Sequence, residues 1–163
     1  MTEPLPTLPR HLLLACYEEA ARVYPNEACG LLGGVRNSPE LSWLRLCENA
    51  WNRQNARSVS TPFSVGHRGF RLRFSDVIWL LEQALTDSPP QVLFHSHADC
   101  GTALSFEDQH CAQLLAQHGL FLDHLILDIT HRNPQSAQRY RQSPDKLSSL
   151  CRYDATGHIL PNP

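Results

Sequence analysis

Hydrophobic positions along this 163-residue chain change period several times, and the changes mark out its elements. Leu12, Leu13, Cys16, Ala20 and Val23 recur at helical spacing between His11 and Val23, and Pro25 closes that helix. Ala28 to Val35 is a continuous apolar run that reads as a strand, with Gly33-Gly34 allowing a turn or a close backbone approach. Leu41 to Cys47 sets Leu41, Trp43 and, less regularly, Arg45 and Cys47 against Leu44 and Leu46, the alternation of a following antiparallel strand. A polar, turn-rich stretch runs from Glu48 to Thr61, and Phe63-Ser64-Val65 is a candidate short strand. Ser75 to Leu85 is an amphipathic helix carrying Val77, Ile78, Leu80, Leu81, Ala84 and Leu85.

Pro89-Pro90 then leads into a buried strand around Val92-Leu93-Phe94, and a third helix runs from Ser105 to His118, closed by Gly119. Phe121 to Ile129 is a strongly apolar strand whose ends Asp123 and Asp128 mark, and Ala137 to Arg141 is a final strand. Residues 1–9, with Pro4, Pro6 and Pro9, form an extended lead-in. Residues 143–163 have weak periodicity and read as a peripheral tail, with Gly157 turning the chain between Tyr153 and Ile159. The order predicts one α/β domain (α+β, a mixed sheet flanked by helices) whose core spans residues 10–142 of the chain.

A hydrophobic share of 42% is that of an ordinary globular chain, and the net charge of −2 gives no general attraction to nucleic acid or anionic membrane. The local exception is His67, Arg68, Arg71 and Arg73 beside Phe70 and Phe74, read as a solvated face or substrate-docking edge rather than a nucleic-acid surface. Lys146 is the only lysine. The six cysteines form no Cys-x-x-Cys pair, which argues against a zinc ribbon or a thioredoxin-type motif. Leu13-Leu14-Ala15-Cys16 lies in too short an apolar run, preceded only by Arg10, for a lipoprotein box, and no signal peptide or membrane span is recognisable, so the thiols read as reduced and the protein as cytoplasmic.

Candidate chemistry concentrates after the Val92-Leu93-Phe94 run. Alternation places His95 and His97 on one face of a strand end, while Ser105 and Asp108 lie one turn apart at a helix start. Two histidines and a carboxylate form a usual ligand set for a catalytic Zn²⁺ with an open fourth position. Ordinary strand-end histidines, with Ser-x-x-Asp serving only as a helix cap, account for the same residues one by one. Upstream, Glu27 stands between a helix end and an apolar glycine-rich strand, where desolvation suits a general base; an exposed helix-end glutamate is the plainer alternative. Cys29 and Cys100 are conceivable thiol nucleophiles, and Cys100 a conceivable extra ligand or redox sensor, although incidental placement explains both. His110 and His118 lack ligand spacing.

Taken together, Glu27 and His95-x-His97-x(7)-Ser105-x(2)-Asp108 resemble the JAMM (MPN+) metallopeptidases, and Glu27-Ala-Cys-Gly-Leu-Leu-Gly is similar to the first motif of their short bacterial members. The resemblance implies a cytidine-deaminase-like JAMM/MPN fold, Zn²⁺ on His95, His97 and Asp108, Glu27 as acid/base, and Ser105 stabilising the oxyanion or positioning the water. Ala98 and Leu104 stand where the family often has proline, a departure that bears on the loop's rigidity rather than on the metal site.

The implied activity is hydrolysis of a peptide or isopeptide bond after the C-terminal glycine of a ubiquitin-like protein. Family members of this size act on sulfur-carrier proteins or reverse conjugates in bacterial ubiquitin-like systems, including anti-phage ones, which implies an activating-enzyme-like partner. The loop from Glu48 to Arg73 is the expected path of the substrate tail. The alternative is a non-catalytic MPN-type interaction scaffold, against which stands the full set of ligands, base and serine. A zinc nucleotide deaminase would need His-x-Glu and Pro-Cys-x-x-Cys, both absent from the sequence.

Overall fold

The computed structural model describes residues 6–51 and 69–161. Helix α1 (Arg10–Val23) precedes strands β1 (Cys29–Gly33) and β2 (Trp43–Cys47), then α2 (Phe74–Gln83), β3 (Pro90–Ala98), α3 (Phe106–Gln117) and β4 (Asp123–Thr130). Strands β5 (Asn133–Gln142), β6 (Leu147–Asp154) and β7 (Ile159–Leu160) follow. All join one mixed sheet in the order β2-β1-β3-β4-β5-β6-β7. Only β3 and β4 run parallel, linked through α3; every other neighbouring pair is antiparallel.

Alternation along the central strands divides the core between two faces. Val92, Phe94, Leu125, Leu127 and Ile129 meet α1 through Leu12, Leu13, Cys16, Tyr17 and Ala20. On the opposite face, Cys29, Leu31 and Leu93 meet Leu80 of α2, with Cys111 and Leu115 of α3 beside them. β1 needs its glycine at position 30, because a methyl there would press into the Phe94 ring and the Arg45 carbonyl.

Two expectations change. The stretch after residue 143, expected as a peripheral tail, pairs with β5 as β6, and β7 extends the edge beyond it. Tyr153 there is buried, and the Tyr17 hydroxyl donates to the Asp154 carbonyl at 3.1 Å. The expected turn around Gly157 falls between these two strands. In α2, the fully buried side chains are Leu80 and Asp76, while Phe74, Ile78 and Leu81, with Leu85 just past the helix end, are solvent-facing apolar residues. Asp76 is stable inside because Arg45 and Arg73 donate to its two carboxylate oxygens at 3.0 and 3.2 Å. Phe63-Ser64-Val65, His67 and Arg68 lie outside the described residues. Among the described residues, no helix is long and apolar enough to cross a membrane.

Candidate metal centre

β3 continues past its apolar segment, so His95 and His97 point from the face that carries Leu93. Ser105 caps α3: its hydroxyl accepts from the Asp108 amide at 3.1 Å, and the Asp108 carboxylate accepts from the Ser105 amide at 2.7 Å. That reciprocal cap fixes the Asp108 carboxylate beside the histidines. His95 Nε2 is 2.9 Å from Asp108 Oδ1, His97 Nε2 is 3.4 Å from Oδ2, and the two Nε2 atoms are 3.1 Å apart. The helix-cap reading therefore holds for Asp108, and the cap sets the same carboxylate where it could serve as a metal ligand.

These separations match the donor set of a tetrahedral metal. Bonds of about 2.0–2.1 Å place neighbouring ligand atoms about 3.3 Å apart. All three residues are buried, and among the described residues they are the one His/Cys/Asp/Glu group whose ligand atoms converge in this way. Cys100 and His110 are exposed and stand outside the group, as does His118 at the end of α3. Burial pushes the Cys29 thiol up, away from a nucleophilic thiolate.

The electrostatics favour an anionic Asp108 carboxylate and a neutral His95, while His97 is drawn toward its protonated form. Burial works against the charge on Asp108, but hydrogen bonds with His95 and His97 overrule it and hold the carboxyl well below the usual range. Burial lowers the pKa of His95. Burial also opposes protonation of His97, but Asp108, Glu27 and the Gly101 carbonyl together raise it.

Glu27 is buried just before β1, across from the end of β3. Ser96 joins the two segments: its hydroxyl accepts from the Ala28 amide at 2.8 Å, and its amide donates to the Ala28 carbonyl at 3.0 Å. Asn49 holds the other side. Its side-chain amide donates to the carbonyls of Glu27 and Gly69, both at 2.9 Å, and its oxygen accepts from the amides of Trp51 and Arg71, both at 3.0 Å. Phe70, in the segment Asn49 secures, stacks on the His95 ring with centroids 4.3 Å apart. Of the basic run, Arg73 is neutralised by Asp76 and by Glu48 at 3.0 Å.

The loop after β3 is braced without the two prolines. Asp99 accepts from the Tyr24 hydroxyl and the His131 amide, His97 Nδ1 lies 2.9 Å from the Gly101 carbonyl, and the Tyr140 hydroxyl donates to the Thr102 carbonyl at 2.8 Å. Asn49, Asp99 and Tyr140 escape a reading of the sequence, since polar loop residues carry no pattern, and Phe70, read there only as part of a solvated or docking edge, instead stacks on His95. His124 escapes it too: it is fully buried in β4, and burial, reinforced by His95, lowers its pKa to about 4.

Similarity to known proteins agrees with this fold. A solution structure of a Desulfitobacterium hafniense protein superposes with a TM-score of 0.60 at 20% identity, covering 90% of each chain. A Salinibacter ruber protein, also solved in solution, gives a TM-score of 0.53 at 15% identity over 88% of each chain. No curated protein matches the chain. The family described as prokaryotic homologs of the JAB domain matches residues 9–142, a span holding Glu27, both histidines, Ser105 and Asp108. The chain belongs to that JAB/MPN family.

Proposed function

We propose that the protein is a zinc metallopeptidase that hydrolyses a peptide or isopeptide bond after the C-terminal glycine of a ubiquitin-like protein. The convergence of His95 Nε2, His97 Nε2 and the Asp108 carboxylate carries this reading. A Zn²⁺ held by these three would supply Lewis acidity at the scissile carbonyl and lower the pKa of a water beside it.

The chain's own residues supply the rest. Glu27 takes the proton lost by the attacking water and returns it to the departing amine nitrogen, so one carboxyl serves both halves of the reaction. The Ser105 Oγ already accepts from the Asp108 amide, so its O–H is the side suited to donate to the developing oxyanion. An open cavity of about 470 Å³ runs from Glu27 past Leu46, Glu48, Asn49 and Arg73, which supports entry of an extended glycine-ended tail beside the base. The family resemblance favours a sulfur-carrier protein or a ubiquitin-like conjugate as the owner of that tail, with an activating-enzyme-like protein upstream.

The test is elemental analysis of the wild type, His97→Ala and Glu27→Ala, followed by cleavage assays on fusions to ubiquitin-like proteins ending in Gly-Gly. One zinc per chain, lost in His97→Ala and kept in Glu27→Ala, with cleavage abolished in both, is the expected result. Zinc binding without cleavage of any such fusion would overturn the substrate class. A wild type that binds no zinc would leave an interaction scaffold.

A further inference from the structure

We propose that His124 is a positioning residue for the metal ligand His95, acting through ordered water held between the two imidazoles. The inference rests on the metal-centre reading above and adds a residue outside the ligand set.

Among the described residues, five buried side-chain atoms have no hydrogen-bond partner in the protein, and three of them are His95 Nδ1, His124 Nδ1 and His124 Nε2. Both histidines are completely buried. They occupy neighbouring parallel strands: His124 pairs with Leu93 and His95 with Ile126, so the two imidazoles stand diagonally. Leu125 and Leu127 face α1, which puts His124 on the opposite face, the one carrying His95. Diagonal residues on one face of neighbouring strands lie within reach of each other's aromatic and long side chains. Where two such rings do not touch directly, an ordered water can link their nitrogens.

His95 directs Nε2 at Asp108 and His97, so as a metal ligand it carries its proton on Nδ1. A metal-binding imidazole needs an acceptor for that second N–H. His97 has one in the Gly101 carbonyl, 2.9 Å from its Nδ1. His95 has none from the protein, and unpaired polar atoms clustered in an interior point to shared water rather than to separate desolvation losses. A water accepting from His95 Nδ1–H donates onward to the bare nitrogen of a neutral His124. His124 thereby fixes which His95 nitrogen keeps its lone pair, and the Phe70 ring on which His95 stacks fixes the plane.

The experiment measures zinc affinity by chelator competition in the wild type, His124→Leu and His124→Gln, with thermal melts of each metal-free protein. Alongside it, a crystal structure of the wild type at atomic resolution locates the water. His124→Leu should bind zinc roughly ten- to a hundred-fold more weakly while melting no lower than the wild type, and His124→Gln should recover most of the loss. A water should lie within about 3.2 Å of His95 Nδ1 and of a His124 nitrogen. Affinity in His124→Leu within about twofold of the wild type, or density with no water between the rings, would overturn the assignment. If His124→Leu does not fold, the wild-type density decides. A wild type without zinc affinity would sink the metal reading alone, because the density still reports on the bridge.

Discussion

The Tyr24 hydroxyl donates to Asp99 Oδ2 at 2.6 Å, and this bond ties the turn before Glu27 to the end of the strand that carries His95 and His97. Asp99 adopts a left-handed backbone at φ 59° and also accepts from the His131 amide at 3.0 Å, so one carboxylate registers three segments. On the proposed peptidase reading, Tyr24→Phe should lower kcat about tenfold by loosening the placement of Glu27 against His95 and His97, with zinc content unchanged. Steady-state kinetics beside elemental analysis checks it; an unchanged kcat would show that Ser96 and Asn49 suffice.

Asn49 satisfies all four of its side-chain hydrogen-bonding positions in the interior. Asn49→Ala strands the Glu27 and Gly69 carbonyls and two amides, and should cost about 2–4 kcal/mol in urea denaturation. Asn49→Asp keeps the acceptor but loses the donors to Glu27 and Gly69, so it should not rescue the fold. Recovery by aspartate would place the weight on the Trp51 and Arg71 amides instead.

The buried imidazole of His124 gives the metal-free protein a particular response to acid. An unfolded histidine binds its proton near pH 6.5, whereas the folded one resists until about pH 4. Between those values the unfolded state holds a proton that the folded state refuses, so stability falls as pH falls through this window. The loss by pH 4 is on the order of 3 kcal/mol, and His95, also lowered by burial, acts with the same sign. Denaturation of chelated protein at pH 7 and pH 4.5 measures it, and His124→Leu should flatten the difference.

Gly30→Ala tests the close approach of β1 to its neighbours. The added methyl meets the Arg45 carbonyl, which is backbone and yields little, as well as the Phe94 ring. The expected loss is about 3 kcal/mol of stability, read from the shift in denaturation midpoint. A change within error would mean that the strand pair opens to admit a side chain.

The sequence carries the His-His-Asp group better than it carries what holds that group in place. His95 and His97 obey strand alternation and Ser105 and Asp108 obey helix-cap spacing, so local rules alone bring the four to the right ends of their elements. Asn49, by contrast, sits in a polar stretch where an asparagine signals a turn, and its partners lie 20 and 22 residues away in the chain. β6 also hides, because Ser148, Ser149 and Arg152 interrupt any apolar period and its pairing is through backbone. In α2 the apolar residues suggest a core face, but Asp76 with its two arginines claims the inside and leaves Ile78 and Leu81 turned outward. Long-range hydrogen bonds and ion pairs decide these cases, and neither leaves a periodic trace.

Asp108 serves the helix cap and the ligand cluster with the same carboxylate, and Ser105 serves the cap with the oxygen proposed for catalysis. The two duties differ in what happens when catalysis is abandoned. A duplicated copy of this domain that drifted into a pseudoenzyme could shed both histidines, yet starting α3 would still call for Ser-x-x-Asp. The serine–aspartate pair is thus a poor witness to lost activity in such a lineage, and the histidine pair is the informative one.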